Sequence, residues 1–300
     1  MQRPEGRGLW FPVIAAESPS SASETVDTAG VSRVLSFHVK DVELAVTIKG
    51  SGSPLLFVHG FPLDHSMWRD QLEEFAEDYT VIAPDLRGFG RSGTANAAIT
   101  MAQFADDLAN LCDALDITEP IHYCGLSMGG YIAWEFYRQH RERLRSLILC
   151  DTRAGADSAS TAETREKMAR AVRSHGAAVI AQAMQPKLFS AGTMTSQPHL
   201  PEQLIEIILR TSGESIAAAA LGMAARPDST ELLSEIDLPA LLIVGEHDEL
   251  SRPDEMEQMA ALMPNARFSI VPSAGHMAPM ENPGHVNRLI REFLERFDTD

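Results

Sequence analysis

Six short apolar runs recur along this chain with helical segments between them, and that rhythm leaves few folds open. The runs occupy 55–58, 80–83, 121–124, 146–150, 240–244 and 268–271. They are rich in Ile, Leu and Val and are not polar at alternate positions, the pattern of strands covered on both faces. The segments 66–76, 101–115, 128–140, 253–263 and 283–297 carry apolar residues at helical spacing. Pro253 closely follows Ser251, which suits the first turn of a helix. Two alternating stretches at 34–39 and 43–48 predict an antiparallel hairpin ahead of the runs. The expected class is α/β, a mostly parallel central sheet flanked by helices.

One stretch breaks the rhythm. Residues 152–233 contain no strand-like run but several helical pieces, at 162–173, 177–184, 201–211 and 214–225, punctuated by Pro186, Pro198, Pro201 and Pro227. This predicts a helical cap (152–233) inserted after the sixth strand of a core made of 31–151 and 234–300. Sheets of this kind bind ligands outside the carboxyl ends of their strands, so an insertion leaving from such an end is placed to roof the site. Residues 17–30 are rich in Ser, Ala, Thr and acids without periodicity, so 1–30 is expected to be a disordered tail.

Composition removes several function classes. Of 300 residues, 25 are Lys or Arg and 42 are Asp or Glu, a net charge of −17. Nucleic acid and anionic membrane surfaces would repel such a chain. No apolar run approaches the roughly 20 residues that span a bilayer. The apolar segment 9–16 after Arg3 and Arg7 is short for a signal peptide and holds Pro12, so the cytoplasm is the expected location. Cys112, Cys124 and Cys150 have no metal-ligand spacing and an odd count, which suggests free thiols. No His and carboxylate pair has convincing metal spacing, and no heptad seam speaks for an oligomer.

The chemistry centres on Gly125-Leu126-Ser127-Met128-Gly129-Gly130, which follows the run 121–124 and opens a predicted helix. A G-x-S-x-G in that context is a nucleophile elbow, a sharp turn that pushes the serine hydroxyl out of the sheet. A serine hydroxyl needs a base. His276 stands just after the run 268–271, on the same rim of the sheet, and is the candidate. His59 has a neighbouring Gly60 that suggests a backbone role, and His247 reads as a loop residue. The base needs an orienting acid. Asp248 follows the run 240–244; Asp151, directly after 146–150, is its rival and reads otherwise as an anchor for the root of the insertion. An oxyanion hole needs two converging N–H donors: Met128 at the helix N-terminus and Phe61 in the loop His59-Gly60-Phe61-Pro62. Pro62 has no N–H. Asp85 through Ser92 lacks a phosphate-loop ending and reads as a structural turn.

Taken together, His59-Gly60-Phe61-Pro62, Asp85 through Ser92, Gly125 through Gly130, Gly245-Glu246-His247-Asp248 and Gly275-His276 resemble the α/β-hydrolase superfamily, in the family's order. Within it the chain looks most like the small bacterial hydrolases around 3-oxoadipate enol-lactonase and general carboxylesterases. Leu149 through Ala154 and Ala225 through Ser229 carry that likeness. Ser127 disfavours the dehalogenase and epoxide-hydrolase branches, whose nucleophile is an aspartate. The resemblance implies a cofactor-free and metal-free serine hydrolase of small esters or lactones, with Ser127, Asp248 and His276 as its triad. Phe61, Leu63, Trp68, Met128 and Met277 are expected to bind substrate. Three other activities suit the same fold: perhydrolysis with peroxide, hydrolysis of a carbon–carbon bond in ring-cleavage products, and small-molecule reception.

Overall fold

A computed structural model describes residues 23–26, 33–94 and 99–297. Nine strands form one sheet: β1 (Ser23–Val26), β2 (Arg33–Val39), β3 (Val42–Lys49), β4 (Pro54–Val58), β5 (Thr80–Pro84), β6 (Ile121–Leu126), β7 (Leu144–Cys150), β8 (Ala240–Gly245) and β9 (Ala266–Val271). Their spatial order is β1-β2-β3-β5-β4-β6-β7-β8-β9. The pairings from β1 to β5 are antiparallel, and those from β5 to β9 are parallel. The six apolar runs are β4 to β9. Strands β4, β6 and β8 are buried along their whole length, as continuous apolar composition requires. β9 lies at the sheet's edge and is largely accessible.

One expectation needs correction. Ser23–Val26 lies in the segment read as a disordered tail, yet it forms a strand paired with β2. An edge strand such as β2 offers a row of backbone N–H and C=O groups, and backbone pairing needs no apolar pattern in its partner. The rest of 1–30 lies outside the described residues. The extra strand also makes β7 the seventh in chain order, where the sequence counted it sixth.

On the sheet pack α1 (Arg69–Phe75), α2 (Met101–Ala114), α3 (Met128–His140), α9 (Pro253–Leu262) and α11 (Pro283–Leu294), with the short α10 (Ala278–Glu281) before the last. Between β7 and β8 the chain is helical: α4 (Ala159–His175), α5 (Ala177–Leu188), α6 (Ala191–Ser196), α7 (His199–Leu209) and α8 (Gly213–Ala224). We refer to these five as the cap helices. Helix α6 is absent from the sequence reading because six residues hold too little periodicity; the Ser190 hydroxyl starts it by accepting from Thr193 N–H at 3.1 Å. Pro186 does not end α5 but sits in its last turn, and Pro201 lies in the first turn of α7, where the missing N–H costs nothing.

The turn after β5 is a structural knot. Asp85 accepts from the backbone N–H of His65 at 2.9 Å and of Arg91 at 2.8 Å, and its carbonyl accepts from Ser92 Oγ at 2.6 Å. The His65 imidazole lies 2.6 Å from the same carboxylate. Burial would lower the His65 pKa, but the Asp85 hydrogen bond and charge outweigh it and raise the value. Arg87 makes two bonds to buried Asp107 and two to exposed Asp41. Arg87 therefore serves packing.

Candidate active site

β6 runs into α3 at Ser127, whose backbone takes φ 52° and ψ −107°. This left-handed conformation is costly for a side chain other than glycine. Neighbouring bonds hold it: Ser127 N–H donates to Cys150 O at 2.9 Å, and Thr152 Oγ donates to Ser127 O at 2.7 Å. At Gly129 the helix meets β4, where a Cβ would stand 2.4 Å from Val58 O. Only glycine admits that approach.

The elbow meets two loops from the same rim. His276 follows β9, and its Nε2 accepts from Ser127 Oγ at 2.9 Å. Asp248 follows β8, and its Oδ2 accepts from His276 Nδ1 at 2.8 Å. The other Asp248 oxygen accepts from Leu250 and Ser251 N–H at 2.7 and 3.0 Å. Burial pushes the Asp248 pKa up, but the His276 charge, its hydrogen bond and these N–H groups outweigh it and hold the carboxyl below its usual range. An ionised carboxylate is what fixes the imidazole's tautomer and steadies its protonated form.

Asp151 takes the other role that the sequence allowed. Its Oδ1 accepts from Gly245 N–H at 2.8 Å, and its carbonyl accepts from Ser251 Oγ at 3.0 Å. It braces both ends of the loop carrying Asp248. Its Oδ2 is buried without a partner. Burial, then the Asp248 charge, push its pKa well above the carboxylate range. His59 is likewise structural: its Nε2 accepts from Leu86 N–H at 3.0 Å, and its Nδ1 faces Gly60 O at 2.9 Å. Burial keeps its pKa low.

The loop after β4 lies against the elbow; a Cβ on Gly60 would be 3.5 Å from that of Ser127. Phe61 and Met128 N–H have no backbone acceptor among the described residues. Met128 is the first residue of α3, where N–H groups lack intrahelical partners. Met128 directly follows the serine, and Phe61 follows the glycine that faces it.

Ser127 and His276 open into a cavity of about 580 Å³ between core and cap. Of the residues expected to bind substrate, Phe61 is in its wall. Leu63, Trp68, Met128 and Met277 are buried and are not among the lining side chains. Trp68 packs on Phe57, ring centroids 5.2 Å apart, so adjacency in sequence to a site loop did not mean exposure to the site. The sequence reading missed the cap wall: Met168, Val179, Ile180, Ala183, Met184 and Met223. The spacing of 180, 183 and 184 marks one face of a helix, but not what that face looks at. Among the described residues, Asp64, His65 and Asp85 are close enough to hold a metal. Asp64 is paired with Arg210 and Asp85 with His65 and Arg91, so this cluster reads as part of the turn.

Fold and site define an α/β hydrolase. Residues 53–283 match the alpha/beta hydrolase fold family, and the chain belongs to it. A thermophilic esterase from Thermogutta terrifontis, solved with malate bound, is 45% identical, with TM-score 0.84 over 92% of this chain and 99% of that one. The enol-lactonase of Burkholderia xenovorans LB400 is 26% identical, with TM-score 0.81 over 87% and 99%. The 3-oxoadipate enol-lactonase 2 of Acinetobacter baylyi is 26% identical over 87% of this chain and 99% of its own length. The protein is thus a hydrolase resembling the esterase and enol-lactonase members. Among the described residues no helix is long and apolar enough to cross a membrane.

Proposed function

We propose that the protein hydrolyses small carboxylic esters or lactones through an acyl-enzyme on Ser127. The observation that carries this is the continuous hydrogen-bonded line from Ser127 through His276 to Asp248, opening on a largely apolar chamber. In this reading Ser127 Oγ attacks the carbonyl carbon while its proton passes to His276 Nε2. The carbonyl electrons move onto oxygen, which the N–H groups of Phe61 and Met128 stabilise. As the intermediate collapses, the ester C–O bond breaks and the alkoxide takes the proton from His276. Water then attacks the acyl-serine, giving its proton to His276, and the acid leaves as Ser127 regains its hydrogen. In a lactone the alcohol stays tethered to the acid.

The cap side of the chamber also carries charge. The chamber lining holds Arg153, Arg165 and Lys167 against Asp157 and Glu249. Lys187 stands in the same wall. In a chain of net charge −17, this local positive lining favours substrates with a free carboxylate, consistent with the malate held by the Thermogutta esterase. Such a preference weakens as salt is added.

The test is a panel of p-nitrophenyl esters of rising acyl length, a p-nitrophenyl hemisuccinate and an enol-lactone, turned over by wild type and Ser127→Ala. The substitution removes the nucleophile and is expected to cost at least about 1000-fold in kcat. A folded Ser127→Ala variant with near-normal turnover refutes the mechanism.

A further inference from the structure

Beside the Ser127, His276 and Asp248 line stands a third carboxylate that touches none of them yet binds the His276 loop to the cap. Glu281 is the last residue of α10, five positions after His276, and is buried. Its Oε1 accepts from Gly275 N–H at 2.7 Å, on the residue preceding His276. Its Oε2 accepts from Ser190 N–H at 2.9 Å, in the cap. Both oxygens are thus committed to backbone donors on two different parts of the fold.

Further bonds cross the same seam. Met277 N–H donates to Leu188 O at 3.1 Å, and Ser190 Oγ donates to Ser273 O at 2.8 Å. The fit is close: a Cβ on Gly275 would stand 2.7 Å from Ser190 N. The cap segment at this seam, 188–190, begins with the last residue of α5, and α5 supplies Val179, Ile180, Ala183, Met184 and Lys187 to the chamber wall. A ligand in the chamber would touch the helix whose end holds the histidine loop.

Resting on the hydrolase reading above, we infer that Glu281 is a positioning residue: it holds the loop of His276 against the cap, so that the seating of α5 sets the imidazole between Ser127 and Asp248. Charge-assisted bonds to backbone N–H groups are strong and directional. A base displaced by about 1 Å can cost about 100-fold in rate.

The test is Glu281→Gln, which is nearly isosteric but turns an NH2 donor toward one of the two N–H groups. The expected result on p-nitrophenyl butyrate is a kcat at least about 10-fold lower, with KM within about 2-fold of wild type. The acid limb of the pH–rate profile moves to lower pH, because an imidazole drawn away from Asp248 is more easily deprotonated. The titratable groups around it are Asp248 itself, Glu281, and Asp151, whose pKa both of these carboxylates raise. Loss of the Glu281 charge by itself also lowers that limb, so the Ser190 variants below, which keep the charge, separate displacement from charge; a role confined to packing leaves their limb in place.

A second pair of variants keeps the inference open to refutation if Glu281→Gln does not fold. Ser190 has φ −63° and ψ 152°, which proline adopts. Ser190→Pro loses the hydroxyl and the N–H and sets its ring against Glu281 Oε2, which breaks that anchor, whereas Ser190→Ala loses only the hydroxyl. The proline variant is expected to show the lower kcat and the shifted limb; equal behaviour of the two overturns the inference. The low-field NMR signal of the His276–Asp248 hydrogen-bonded proton reads the same geometry without any substrate. It is expected to shift or vanish in Glu281→Gln and Ser190→Pro but not in Ser190→Ala. An unchanged signal in all three overturns the inference even if the ester reading fails, and failure of wild type on every ester refutes that reading alone.

Discussion

Replacing Asp151 by Asn should stabilise the protein, and increasingly so as pH rises. Asp151 is fully buried at the end of β7 and takes φ 47°. Asn tolerates that left-handed backbone. The side-chain carbonyl of Asn can keep the 2.8 Å bond from Gly245 N–H, and its NH2 would occupy the position of an oxygen that already has no partner. Burial and the neighbouring Asp248 charge push the native carboxyl's pKa well above the usual range. In the unfolded chain it ionises near pH 4. Between that value and the raised folded one, the folded state binds one more proton than the unfolded state. Stability then falls as pH rises, by about 1.4 kcal/mol for each unit. Asn has no such proton, so the gain from the substitution should grow by the same slope from pH 5 upward until the folded carboxyl ionises. Urea unfolding of both proteins at pH 5 and pH 8 measures this directly. A stability difference equal at the two pH values would show Asp151 ionised in the folded state and refute the reasoning.

Two further predictions follow from the packing around the site. Arg87→Met strips buried Asp107 of its guanidinium partner, and an unpaired buried charge costs about 3–5 kcal/mol; urea unfolding at pH 7 should show that loss, and one under about 1 kcal/mol would contradict it. Ala183→Trp fills part of the chamber from an exposed position on α5, so kcat/KM for p-nitrophenyl hexanoate should fall at least about 10-fold relative to the acetate. An unchanged chain-length profile would place the acyl group elsewhere.

Much of this molecule was legible from local rules. Buried parallel strands need continuous apolar runs, and all six runs became strands. The elbow needs glycine where α3 approaches β4, and Gly129 supplies it against Val58 O. Since strand ends share one rim, residues just after β6, β8 and β9 had to come near one another. Ser127, Asp248 and His276, chosen on that ground, lie within hydrogen-bond reach. Strand β1 was not legible, because its place comes from the open backbone of β2 and not from any pattern of its own.

The sequence by itself determined strands β2 to β9, the rim and which side chains stand on it. These follow from spacing along one chain, and neighbours in sequence stay neighbours in space. The tertiary structure alone decided between Asp248 and Asp151, two acids at adjacent strand ends, because a carboxylate's role depends on the group it faces and on how dry its surroundings are. It alone decided that the chamber wall is Ile180, Ala183 and Met184, not Leu63, Trp68 and Met277. It also set Glu281 between Gly275 and Ser190. Those contacts join residues far apart in the chain, and a packing direction leaves no periodic mark in a sequence.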